Sequence, residues 1–211
     1  LLMQTYNLNN FIPNNPVYDG QWQGVKYASD GNVYFGSSTH DARHGAGFFK
    51  LDPRTGKITM LAEDLTTIVG ENPLTNPQGK LHSDILEANG WLYFATYFSN
   101  EGGYYSQYSG SHIIGYNLTS GQFKDFGIAK ANYAVYSAIA LDPTGRYVYS
   151  FWTGRLDGQA SYLYRLDTQT GKYDNLGYLS GPSSDFSMFV DQNGFVWFSL
   201  EYAGGVLFRF N

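Results

Sequence analysis

The chain has 211 residues, enough to bury one good core or two small ones. Only 15% are charged, 18% are aromatic, and 25 glycines and 19 tyrosines stand among them, a balance that suits short strands joined by tight turns. The net charge of −5 makes nucleic acid or an anionic membrane an unfit partner, and the lack of cysteine excludes disulfides and thiolate chemistry.

No apolar run approaches the ~20 residues that a membrane-spanning helix needs. The opening Leu1-Leu2-Met3-Gln4 carries neither a basic region nor an apolar core of signal-peptide length. The first strand-like run, Met3–Leu8, precedes a linking segment with Pro13 and Pro16. From there the chain repeats itself. Asp30-Gly31, Asn89-Gly90, Thr144-Gly145 and Asn193-Gly194 each lead into an aromatic strand, and x-Gly between strand-like runs is a strong hairpin signal. A second marker, Asp/Asn-x-x-Thr/Ser-Gly-Lys/Gln, recurs at Asp52–Lys57, Asn117–Gln122 and Asp167–Lys172, where Gly supplies positive φ and the acid or amide caps the turn. The two markers define a four-stranded unit at the spacing of propeller blades.

The expected fold is therefore all-β, a β-propeller, as one domain or a portion of one over 1–211. Blade one runs from about Gln23 to Leu61, blade two from His82 to Gly127, blade three from Tyr136 to Leu176. Blade four begins near Phe186 and reaches only its third strand before Asn211. Either Met3–Leu8 closes a four-bladed ring, or the four blades belong to a larger propeller; both remove an exposed sheet edge. Neither Ala62–Val69 nor Ala129–Ala134 holds a helical period long enough to predict a helix.

Counting back from each turn glycine aligns His82 with Gln23, Ser137 and Phe186, and His112 with Gly47, Tyr162 and Val206. A strand needs no histidine at either place. The loops between second and third strands carry His40, Arg43, His44, Tyr104, Tyr105, Tyr108 and Arg155, and loops on a rigid scaffold are where function concentrates. His40-Asp41-Ala42-Arg43-His44 has His-x-x-x-His spacing, but that pattern needs a helix to bring both rings to one metal, and this stretch reads as a loop.

Lys80-Leu81-His82-Ser83, Trp91-Leu92-Tyr93-Phe94-Ala95-Thr96 and Gly110-Ser111-His112-Ile113-Ile114-Gly115-Tyr116, with the following Tyr136–Asp142, resemble the propeller polysaccharide lyases of the ulvan-lyase type, over about residues 80–180. The resemblance implies a seven-bladed propeller that cleaves uronate-containing acidic polysaccharide by β-elimination, secreted or periplasmic in a bacterium. This chain is long enough for only four blades. Such chemistry needs a group to neutralise the uronate carboxylate, a base for the C5 proton and an acid for the departing O4. By carry-over, His82 and His112 are base and carboxylate partner in either order, Tyr136 is the candidate acid and Arg155 the carboxylate clamp. Arg43, Tyr97, Tyr108 and Trp152 are candidate sugar contacts. The chemistry requires no cofactor, and no ligand set for a structural zinc or calcium is legible. Two other classes compete: a non-catalytic propeller that binds glycan or protein through the same face, and a streptogramin-lyase or lactonase type. The lactonase type needs a carboxylate-rich metal centre, and Glu71, Asp84 and Asp185 form no recognisable set.

Overall fold

In the computed structural model the residues described are 3–99, 108–154, 160–179, 185–200 and 206–211, with the side chains of Asp185, Phe186 and Leu200 set aside. Blade one consists of β1 (Val25–Tyr27), β2 (Val33–Ser37), β3 (Gly47–Asp52) and β4 (Lys57–Ala62). Blade two has β5 (Leu86–Ala88), β6 (Trp91–Ala95), β7 (Ile113–Asn117) and β8 (Phe123–Asp125). Blade three has β9 (Tyr133–Ala134), β10 (Ile139–Leu141), β11 (Tyr147–Gly154), β12 (Ser161–Asp167) and β13 (Lys172–Leu179), and blade four has β14 (Asp185–Val190), β15 (Val196–Leu200) and β16 (Leu207–Phe210). Each blade is an antiparallel meander in chain order, with β9 as an extra short partner of β11. The architecture is that of a β-propeller, and among the described residues the fourth sheet has three strands.

The turn chemistry builds these sheets locally. Asp52 accepts from the Arg54 amide, Asn117 from the Thr119 and Ser120 amides, and Asp167 from the Gln169 amide. The glycine that follows each, Gly56, Gly121 and Gly171, sits at φ near +70°, where a Cβ would be strained. The first hairpins differ. Asp142 and Asp191 side chains latch the amides of Tyr147 and Phe195 across long turns, and Asp30 accepts from Asn32 and from the Tyr34 hydroxyl. Blade two instead turns on Asn89 and Gly90 alone, both at positive φ, the tight two-residue hairpin that matches strand twist.

Aromatic and branched residues on the inward faces pack sheet on sheet. Phe48, Phe94, Tyr34 and Tyr116 join blades one and two, Tyr93, Ile113, Trp152 and Leu166 join two and three, and Phe151, Leu163, Val196 and Phe198 join three and four. Burial of this kind is worth about 1.5–3 kcal/mol per large side chain.

Two expectations are corrected here. Met3–Leu8 forms no strand: Asn7 caps a 3-10 turn at Leu8–Phe11, the Asn9 side chain pairs with the Tyr18 backbone, and Tyr6 and Leu8 line a cleft against Val25, Phe35 and Ile58 of blade one. A single helical turn, α1 (Leu65–Ile68), does form, because the Asp64 side chain accepts from the Thr66 amide and Leu65 is fully buried.

A row of rings at the candidate functional site

Ahead of the strand that opens its meander, each of the first three blades makes a short antiparallel pairing with residues at or just past the end of the next strand. The pairs are Gly20 with Ser38, Lys80 with Tyr97, and Ala134 with Thr153. Two residues beyond the first member of each pair stand Trp22, His82 and Tyr136. These three are therefore equivalent, one ring per blade. This corrects the alignment by turn glycines, which put Gln23 and Ser137 opposite His82. Blade two has a shorter first hairpin than its neighbours, and counting through it shifts the register by one residue. The same correction brings Tyr136 into register with His82.

The three rings stack. Trp22 and His82 lie 4.6 Å apart between centroids at 25°, and His82 and Tyr136 lie 4.6 Å apart at 26°. Tyr97 meets both His82 and Tyr136 edge-on, at 5.3 and 5.4 Å. Anchors on either side fix His82 in place. Leu81 inserts into blade one, where a Cβ on Gly24 or Gly36 would strike it, and Ser83 Oγ accepts from the Ala95 amide at 2.8 Å. Val135, the residue before Tyr136, is likewise buried and donates to Ser111 Oγ.

His82 is 5% exposed, and its Nε2 is buried with no hydrogen-bond partner among the described residues. Burial between the rings, then the charges of Lys80 and His40, push the imidazole down to about 4, so it is neutral at physiological pH. The buried Lys80 carries its ammonium 5.5 Å from the Trp22 ring centre. At the outer end His40 meets Trp22 edge-on at 5.4 Å, and its Nδ1 lies 3.1 Å from both carboxylate oxygens of Asp19. Trp22 and the His40–Asp19 pair are exposed, and Tyr97 and Tyr136 are half-buried.

His112 belongs to a different constellation. Its Nδ1 lies 3.0 Å from both oxygens of Asp125, while Nε2 is 3.3 Å from Glu71 Oε1. The second contact has ion-pair distance without hydrogen-bond alignment, so Asp125 is the stronger partner. Burial alone would lower this imidazole, but the two carboxylates outweigh it and raise it to about 9. Glu71 also accepts from Ser109 Oγ and from Gln78 Nε2. Gln78, fully buried, accepts from Thr96 and Tyr108 and donates to the Gly110 carbonyl.

The residues expected at a site thus divide. His82, Tyr97 and Tyr136 come together. His112 instead turns its ring to Asp125 and Glu71, and as an imidazolium held by two carboxylates it has no lone pair with which to act as a base. Tyr108 is 2% exposed with its hydroxyl on Gln78, and Trp152 is completely buried in the core with its indole donating to Ser150, so neither presents a face to a sugar. Arg43 lies exposed on the loop, its amide held by Asp41. Arg155, Tyr104 and Tyr105 lie outside the described residues. His40 and His44 turn to different partners, Asp19 and the Gly45 carbonyl, and among the described residues no three metal-ligating side chains gather. Sequence reasoning missed Trp22, Lys80 and the Asp19 partner of His40; the pairing positions that identify Trp22 are obscured by unequal hairpins.

No family model and no curated protein matches the chain. Solved structures do. TolB from Acinetobacter baumannii aligns at TM-score 0.59 and 16% identity over 92% of this chain and 41% of its own. A streptogramin B lyase gives 0.55 and 16% over 92% and 55%, and an oligogalacturonate lyase in complex with manganese gives 0.57 and 10% over 92% and 50%. At these identities the likeness is one of propeller fold, and the chain spans about half the length of these structures.

Proposed function

We propose that this chain is a carbohydrate-active propeller, a lyase that cleaves uronate-containing acidic polysaccharide by β-elimination at the row of rings. The observation that carries the reading is the placement of His82: a neutral imidazole sandwiched between Trp22 and Tyr136, with the Lys80 charge close enough to lower its proton affinity.

In this reading the positive field of the buried Lys80 favours a uronate carboxylate at the row of rings, and the partly offset charge makes the C5 proton easier to remove. The same carboxylate offsets the ammonium felt by His82 and raises the imidazole's affinity for a proton as substrate arrives. His82 then accepts the C5 proton, for which its aromatic cover must shift enough to admit the sugar. The exposed part of Trp22 and the half-buried Tyr97 supply flat surfaces for sugar rings. The leaving O4 needs a proton, and two donors border His82 and Trp22: the Tyr136 hydroxyl and the His40–Asp19 pair. His112 holds blade two in shape.

Incubation with ulvan, pectate and a heparinoid tests the proposal, because elimination creates an unsaturated uronate with strong ultraviolet absorbance. A rise with at least one polymer that His82→Ala abolishes is expected. Flat traces on all three, with retention of the chain on an immobilised acidic glycan, would instead establish a non-catalytic glycan-binding propeller.

A further inference from the structure

We propose that His40, held by Asp19, is the acid that protonates the departing sugar oxygen, across Trp22 from the base. The inference rests on the elimination reading above and assigns the half of the reaction that reading leaves between two donors.

Two imidazoles flank one indole in opposite surroundings. His82 lies face-on to Trp22, buried, with an ammonium nearby. His40 lies edge-on to the same indole, exposed, with a carboxylate bound to it. The Asp19 oxygens are both 3.1 Å from Nδ1, and Oδ2 also accepts from the His40 backbone amide at 3.3 Å. The carboxylate thereby accepts from Nδ1–H, leaves Nε2 as the ring nitrogen without this partner on a half-exposed side chain, and supplies a counter-charge whenever Nε2 is protonated. The two rings thus differ in what they touch: His82 is covered by rings, and His40 bears a carboxylate on one nitrogen and is open to water. The neutral group accepts; the group beside the carboxylate donates. Exposure lets His40 reload from water after each turnover. Tyr136 is the poorer donor. Its ring stacks directly on the base and is half-buried, whereas His40 is open to solvent.

The balance is complete without any further reagent. His82 removes the C5 proton, the C5–H electron pair becomes the C4=C5 double bond, and the C4–O4 bond breaks with its electrons on oxygen. His40 Nε2–H delivers its proton to O4, giving a free hydroxyl on one product and a 4,5-unsaturated uronate on the other. His82 then returns its proton to solvent and His40 regains one.

The test compares the wild-type chain with His40→Gln, Asp19→Asn and Tyr136→Phe on the polymer it cleaves and on an oligouronide whose C4 substituent is a nitrophenyl ether, a leaving group that needs no proton. The expected result is a loss of kcat of about 100-fold in His40→Gln on polymer, in line with the usual contribution of a general acid, with KM little changed and near wild-type rates on the nitrophenyl ether. Asp19→Asn, as the loss of a positioning residue, should show a smaller kcat loss with the same rescue. Tyr136→Phe should show no such selective rescue. Equal losses on both substrates in His40→Gln, full polymer activity in it, or selective rescue in Tyr136→Phe would overturn the assignment while leaving elimination standing. A wild-type chain inert on every uronate polymer and on the ether would overturn both.

Discussion

Tyr136 lies face to face with His82, 4.6 Å between ring centres, and each stands two residues past the pairing position that opens its blade. One repeat-equivalent position thus holds an imidazole in one blade and its aromatic cover in the next, and the chemistry of that pair sets much of what can be measured.

The cover should make the protein acid-sensitive in a defined window. Folding lowers the His82 imidazole from its ordinary value near 6.5 to about 4, so the unfolded chain takes up the proton first. The associated stability is fully present above pH 6.5 and declines as pH falls towards 4, by about 3 kcal/mol in all. His82→Phe keeps the stack and cannot titrate. Urea unfolding of wild type and variant between pH 7 and 4 should show the difference between them narrowing or reversing by roughly that amount; parallel curves would refute the buried neutral ring.

His112 should work in the opposite direction. Folding raises it to about 9, so its contribution is fully present below pH 6.5 and is lost as pH rises through 9, again about 3 kcal/mol. His112→Gln removes one partner of a buried pair and should destabilise by about 3–5 kcal/mol at pH 6, with the deficit shrinking towards pH 9. A variant as stable as wild type at pH 6 would show that the two carboxylates do not depend on the imidazolium.

Gln78 should be as costly to lose as a large core residue. Its amide oxygen accepts from Thr96 and Tyr108, and its nitrogen donates to Glu71 and the Gly110 carbonyl. Gln78→Leu fills similar space but orphans these buried partners, at about 1–3 kcal/mol for each that finds no water. The thermal midpoint should fall by about 2–4 °C for each kcal/mol lost in a chain of this size, and an unchanged midpoint would mean that the network is not closed.

Gly20→Ala should disturb the row without unfolding the blade. An added Cβ would stand 2.6 Å from the Trp22 indole, and that ring is exposed enough to swing away. His82 then loses one face of its cover. Its titration, followed by the imidazole proton resonances, should move up from about 4 towards the ordinary value, with little change in thermal midpoint. An unmoved titration would show that Tyr136 and burial by the backbone suffice.

The blades are legible in the sequence because their markers act locally: Asp52, Asn117 and Asp167 each cap their own turn within three residues, so the residues that encode the turn are contiguous. His82 stands out for the same reason, as a residue a strand does not need. What stays hidden depends on distances along the chain that no local pattern encodes. The Asn89-Gly90 turn is shorter than its counterparts, which displaces Trp22 and Tyr136 from apparent register. His112 reads as the twin of His82, yet its role is set by Glu71 and Asp125, one from the linker between blades and one from the outer strand. Trp152 and Tyr108 read as sugar platforms because aromatic residues serve both cores and sites, and only packing tells them apart.

The indole stacked on His82 also turns the site into its own optical gauge. A protonated imidazole against a tryptophan drains its excited state far more than a neutral one, so Trp22 emission responds to the charge on the two imidazoles that meet it, His82 and His40. A ligand that raises the proton affinity of His82 far enough to charge it should dim this emission as it binds, with no label and before any bond is broken.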